Sequence, residues 1–226
     1  MRRILAAVLW LGVAATAQAP AAAQRYVAAH REQLVRQFSD LLAIPNQASD
    51  TANIERNAAA IAKLYEAQGV TVELLRIAGA PPVVFGRLDR PGATRTVTFY
   101  AHYDGQPVHP AEWTQPPYQP VVRAGRIWAR SAGDDKAAVF GFTAALGALR
   151  AAGLAPAVNL HFFLEGEEEA GSPHLAQFLS TYADKVRTDA WIICDGPVHQ
   201  SGRMQVFFGA RGVAEVEMTV YGPGHG

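Results

Sequence analysis

Leu160-His161-Phe162-Phe163-Leu164-Glu165-Gly166-Glu167-Glu168-Glu169-Ala170-Gly171-Ser172 passes from apolar to strongly acidic within a single step. The apolar run begins at Ala157, ends at Leu164, and has the length and content of a buried strand. Four carboxylates follow it within five residues. In open α/β sheets, ligands bind just outside the carboxyl ends of strands. So many like charges at one strand end are costly unless a cation sits among them. A divalent metal meets that need. Working outward, His102 with Asp104, Asp134 and Asp195 each end or closely follow another apolar, strand-like run. They are the candidates for the remaining ligands.

The chain has 226 residues, half of them hydrophobic, enough for one sizeable core or for one domain and part of another. Lys plus Arg equals Asp plus Glu at 20 each, and no basic stripe is present, which argues against nucleic acid as a partner. Arg2 and Arg3 precede an apolar run, Ile4 to Ala17, and then the small residues Ala21-Ala22-Ala23. That is the layout of a cleavable signal peptide over residues 1–23, too short for a comfortable membrane span. The expected location is secreted or periplasmic, with no membrane contact after cleavage. Cys194 is the only cysteine, which excludes an internal disulfide and a thiolate zinc site. It reads as a small buried hydrophobe.

The periodicity predicts helices from about Gln24 to Ile44 and from Asp50, as N-cap, to about Gln68. Strands are expected at Val70 to Ile77, Val83 to Leu88 and Thr96 to Tyr100. A long loop then leads to a hairpin of Val121-Val122 and Arg126-Ile127-Trp128 around Ala124-Gly125. Asp134-Asp135 opens a largely apolar helix to about Ala152, and Ser172-Pro173 caps another to about Tyr182. Ala190 to Cys194 reads as a buried strand, Met204 to Phe208 as strand-like, and Val213 to Val220 as a half-exposed alternating strand. That last change in pattern places a domain boundary near Gly209 to Gly212.

His102 and Asp104 share one face of an extended chain. A ligating imidazole usually donates its other N–H to a carboxylate, a part Asp104 is placed to take. Asp134-Asp135 sits at a helix N-terminus, where carboxylates are favoured with or without a metal. A metal-bridging role is open to Asp134, and capping alone is equally open to Asp135. Of the adjacent Glu168 and Glu169, one is suited to bind metal while the other acts as general base. Glu165 and Glu167 read as spectators. Asp195 fits either a ligand or a turn residue before Gly196-Pro197. Nitrogen and oxygen donors without thiolate suit Zn, Mn or Co.

Four motifs, in this order, carry a family resemblance. They are Tyr100-Ala101-His102-Tyr103-Asp104-Gly105-Gln106-Pro107-Val108, then Glu112-Trp113, then Gly133-Asp134-Asp135-Lys136, then Leu164 to Ser172. Together they resemble the dinuclear-zinc metallopeptidases, the family of glutamate carboxypeptidases, aminoacylases and carnosinase-type dipeptidases, and within it the carnosinase-like branch. The resemblance covers about residues 30 to 226. It implies a zinc-exopeptidase-like α/β three-layer sandwich with a mixed, mainly parallel sheet, truncated at the start of an inserted lid domain. Residues 24–211 would be the first segment of the catalytic domain, and 212–226 the first strand of a lid often used to form homodimers. By the same resemblance His102 and Asp195 bind one zinc, Glu169 the other, and Asp134 bridges both. Glu168 is the general base toward a water between the metals, Asp104 clamps His102, and a cis peptide follows Asp134. Two departures are Ala129-Arg130-Ser131 where members read Gly-Arg-Gly, and Ala137 where Gly is common. A further histidine ligand for the second metal would lie in a later segment, and a substrate-facing lid histidine just past Gly226, with His225 slightly too early to be it.

The expected function is metal-dependent hydrolysis of a peptide or amide bond next to a free carboxylate, on a small peptide substrate. The alternatives are deacylation of N-acyl amino acids and an inactive fragment that binds a single metal. A binding module without metal would require the acidic cluster to be ordinary solvated surface, which its position after a buried strand opposes.

Overall fold

The computed structural model describes residues 2–197, 199–209, 212, 214, 216–222 and 224, with backbone alone for 2–18. Two compact units divide after Asp195. Among the described residues, the first carries all the regular structure. Its elements are α1 (Arg2–Leu42), α2 (Thr51–Glu66), β1 (Thr71–Leu75), β2 (Val83–Leu88), β3 (Thr96–His102), β4 (Val121–Arg123), β5 (Arg126–Trp128), α3 (Lys136–Ala151), β6 (Asn159–Glu165), α4 (Leu175–Thr181) and β7 (Ala190–Ile193). No helix among the described residues is long and apolar enough to cross a membrane.

Five strands form one sheet in the order β1-β2-β6-β3-β7. The β1–β2 and β2–β6 pairs are antiparallel, and β6–β3 and β3–β7 are parallel, so the sheet is mixed. Alternation along β6 sends Phe162 and Leu164 to one face and His161 and Phe163 to the other. The first face packs against α1, α2 and α3 through Leu41, Ile61, Tyr65, Val139 and Leu146. The second packs Phe85, Tyr100 and Phe163 against Phe178 of α4 and Val186. The result is the three-layer α/β sandwich that the sequence implied.

Local chemistry explains the element ends. The Asp50 side chain accepts from the Asn53 backbone N–H and caps α2. Ala124 and Gly125 both take positive φ, 49° and 73°, which a tight β4–β5 hairpin needs. The first helix is interrupted at His30, whose φ of −112° is not helical and whose Nδ1 lies 2.9 Å from the Tyr26 carbonyl. Tyr26 also reaches α3, where a Cβ added to Gly147 would sit 2.7 Å from its hydroxyl. Gly86, in the middle of β2, is equally constrained, because a Cβ there would lie 2.8 Å from Val70 Cγ1 and 3.3 Å from Phe162 Cδ2. Gly86→Ala is therefore expected to destabilise the fold by about 1–3 kcal/mol, read as a lowered urea midpoint with unchanged slope.

Several sequence expectations need correction. Ser172 does not cap α4. It takes a φ of 50°, and the Glu167 carboxylate instead accepts from the His174 N–H at the helix start. The strand β7 is exposed rather than buried, because it is the sheet's edge and, among the described residues, pairs with β3 alone. Trp191, Ile192 and Ile193 are 39%, 44% and 59% exposed for that reason, and Cys194 is only half-buried. In the second unit, no strand forms over Met204 to Phe208 or among the described residues of the 213–220 stretch. Val213, Glu215, His225 and Gly226 lie outside the described residues, as do Ala210 and Arg211 of the expected boundary.

His161 offers a test of the second face. Burial lowers its pKa, Asp89 opposes that, and Arg87 adds to it. The unfolded chain therefore takes a proton near pH 6.5 that the fold resists. The stability contributed above about pH 6.5 is lost as the pH falls below it. Between pH 7.5 and 5.0 the urea midpoint should fall further for the wild type than for His161→Gln, which does not titrate.

Candidate metal centre

The three parallel strands β6, β3 and β7 end side by side; His102, Asp104, Glu168, Glu169 and Asp195 lie at or just beyond those ends, and Asp134 joins them from the start of α3. His102 is the last residue of β3 and is in register with Glu165, the last of β6. Asp134 precedes α3 and is joined to Asp135 by a cis peptide. Glu168 and Glu169 lie in the short 3-10 turn after β6, and Asp195 follows β7 by two residues.

His102 is fully buried, and its two ring nitrogens face different partners. Nε2 lies 2.9 Å from Asp134 Oδ1, 3.8 Å from Asp195 Oδ2 and 3.8 Å from Glu168 Oε2. Nδ1 lies 3.3 Å from Asp104 Oδ1, within ion-pair range but not aligned for a hydrogen bond. One ligand atom from each of His102, Asp134 and Asp195 falls within 4.8 Å of the others. An imidazole nitrogen and two carboxylate oxygens at that spacing fit a divalent cation that takes nitrogen and oxygen donors. Asp104 orients the imidazole from behind, as carboxylates behind metal-binding histidines do.

The electrostatics agree. Burial on its own would lower the His102 pKa, but Asp104, Asp135 and Asp195 raise it to about 10. A carboxylate field strong enough to hold an imidazole protonated is the field that attracts a metal ion. Glu168 is raised above its ordinary value by burial first, with His102 opposing and Asp195, Glu169 and Asp104 adding to it. A carboxyl poised upward in this way suits proton transfer near neutral pH.

Asp104 does more than its motif suggested. Fully buried, it accepts the backbone N–H of Glu168 at 3.1 Å and of Glu169 at 3.0 Å. One carboxylate thus holds the acidic turn after β6 by hydrogen bonds and faces the imidazole on β3 at ion-pair distance. Glu169 lies outside the His102–Asp134–Asp195 group, and its Oε2 accepts from Gln106 Nε2 at 2.6 Å. Glu165 accepts from the Tyr100 hydroxyl at 2.6 Å, and Glu167 holds His174, so both face away from the cluster toward structural partners.

Three supports escaped the sequence reading. Asp135 Oδ2 accepts the His102 backbone N–H at 3.2 Å, so this residue positions the ligand strand as well as preceding α3. Burial raises its carboxyl to about 7. Lys136 is fully buried and donates to the Leu41 and Ile44 carbonyls, tying the start of α3 to the end of α1, and burial lowers its ammonium to about 7. The buried Asn46 side chain donates to the Tyr103 carbonyl and Ser131 Oγ, and its backbone carbonyl accepts from the Gly105 N–H. Nothing in the motif spacing points to Asn46. Asp135 and Lys136 sit inside a motif, but their contacts are long-range.

Comparison with known proteins matches this architecture. Cys-Gly metallodipeptidase dug1 of Schizosaccharomyces pombe is 33% identical over 147 residues, which is 63% of this chain and 31% of that one. A succinyl-diaminopimelate desuccinylase of Acidovorax ebreus is 33% identical over 137 residues, 58% of this chain and 34% of its own. The crystal structure of human carnosine dipeptidase 1 superposes with a TM-score of 0.70 at 26% identity, covering 77% of this chain and 41% of that one. The chain spans about a third of the length of the curated relatives it matches. Residues 98–225, which hold His102 and all the acidic candidates, match the model of the peptidase family M20/M25/M40, and the chain belongs to that family.

Proposed function

We propose that the whole protein is an exopeptidase that hydrolyses a small peptide at a bond next to a free carboxylate, with zinc as its metal. The observation that carries this is the convergence of His102, Asp134 and Asp195 within 4.8 Å, with the Glu168 carboxylate at their edge. Zinc held there would polarise the scissile carbonyl and acidify a water. Glu168 takes the proton from the attacking water and returns it to the leaving amine. Asp104 keeps the Glu168 amide fixed while the side chain exchanges that proton. Asp134, with its side chain 70% exposed, is free to share a second ion, toward which Glu169 would turn from Gln106. Export through residues 1–23 and a lid-mediated homodimer are further parts of this reading. A mature N-terminus near Gln24 tests the first, and light scattering on the whole protein tests the second.

The test is hydrolysis by the whole protein, loaded with zinc. Cys-Gly and β-Ala-His should be cleaved with kcat/KM at least about tenfold above N-acetyl and N-succinyl amino acids. A chelator should abolish the activity and zinc restore it, with two ions bound per chain. Chelator-resistant cleavage would sink the reading. The reverse substrate preference would favour deacylation, the second reading, which the likeness to a desuccinylase supports.

A further inference from the structure

A groove of about 510 Å³ lies on the α4 side of the sheet and shares no residue with the metal centre. Arg87 and His161, adjacent in the β2–β6 register, form its floor, and Tyr182, Asp184, Lys185 and Arg187 from the segment after α4 form its wall. Lys185 is engaged with Glu73 at 2.6 Å. Among the described residues, neither guanidinium, Arg87 nor Arg187, has a side-chain hydrogen bond or an ion pair, and Asp184 is the one acid in the lining.

His161 is the unusual member. The residue is 8% exposed, and its Nδ1 is buried without any partner. A buried lone pair without a donor is less costly than a buried N–H without an acceptor, so the proton belongs on Nε2. Among the described residues Nε2 makes no hydrogen bond, and His161 lines the groove. The groove thus presents an N–H donor and two uncommitted guanidiniums, supplied by three separate segments.

We propose that this groove binds a phosphoryl group, either as free phosphate or as the ester of a small molecule. Guanidiniums pair well with any oxyanion. Donors from three segments suit a tetrahedral anion, which accepts from several directions, better than a planar carboxylate, which takes a single fork. A volume of about 510 Å³ leaves room beyond one phosphate for an organic group.

Calorimetry on the whole zinc-loaded protein at constant ionic strength tests this, with inorganic phosphate and phenyl phosphate as probes. Both should bind, and Arg87→Gln and Arg187→Gln should each weaken binding about tenfold while zinc content and circular dichroism stay unchanged. Tighter binding of phenyl phosphate identifies an ester as the occupant, and equal binding identifies free phosphate. Three results overturn the proposal. The first is no binding up to about 10 mM. The second is wild-type affinity in both variants, which places the anion at the metal centre. The third is displacement of phosphate by acetate at equal concentration, which reduces the groove to diffuse charge.

Discussion

Glu168→Gln should lower kcat of the zinc-loaded whole protein by about 10²–10⁴-fold and leave zinc content unchanged. Glutamine has the same shape, and the main-chain N–H of residue 168 stays bonded to Asp104, so the turn after β6 keeps its place. What is lost is the proton acceptor, with Oε2 3.8 Å from His102 Nε2 at the edge of the ligand cluster. Metal affinity falling together with activity would make Glu168 a ligand instead. Activity within about threefold of wild type, far above the general-base expectation, would remove it from the chemistry. Steady-state kinetics with parallel metal analysis separates these outcomes.

Asp104→Asn should weaken zinc binding by about 10–100-fold and lower stability by about 1–3 kcal/mol. The carboxylate faces three groups from positions with no access to water: His102 Nδ1, the Glu168 N–H and the Glu169 N–H. Asparagine keeps one oxygen and turns an NH₂ toward an N–H or toward the ring. Either the imidazole loses its orienting charge or the acidic turn loses an anchor. The two losses are distinguishable, because the first shows as metal affinity with little change in urea midpoint and the second as both. An unchanged zinc affinity would mean that Asp104 supports the fold alone.

Much of this architecture was legible because the relevant signals are local. The apolar run before Glu165 marks a strand by its own content, Asp50 marks a helix start, and Ala124-Gly125 marks a turn. Most ligand candidates could be found because they close or shortly follow a strand that announces itself, while Asp134 is marked by the start of α3. What stayed hidden depends on partners far along the chain. Asp135 reads as a capping residue until the His102 amide is seen 3.2 Å away, 33 positions earlier. Nothing around Ala190 to Ile193 distinguishes an edge from an interior strand, since neighbours on the sheet decide that. Ser131, where the family resemblance leads one to expect glycine, takes a φ of 59°, a backbone region that glycine enters freely. Its hydroxyl accepts from Asn46 at 2.9 Å, a bond glycine could not make, and that contact links positions 85 apart.

The register that sets His102 beside Glu165 also limits how such a gene can change length. A single codon gained or lost inside β3 would turn His102 to the opposite face and remove it from the centre, and one inside β6 would turn the residues that lead into the Glu168 turn. Between Pro107 and Arg130 the chain is mostly loop and a small separate hairpin, where added length costs little. Descendants of this fold can therefore lengthen or shorten that connection freely, while the parallel strands keep their codon count.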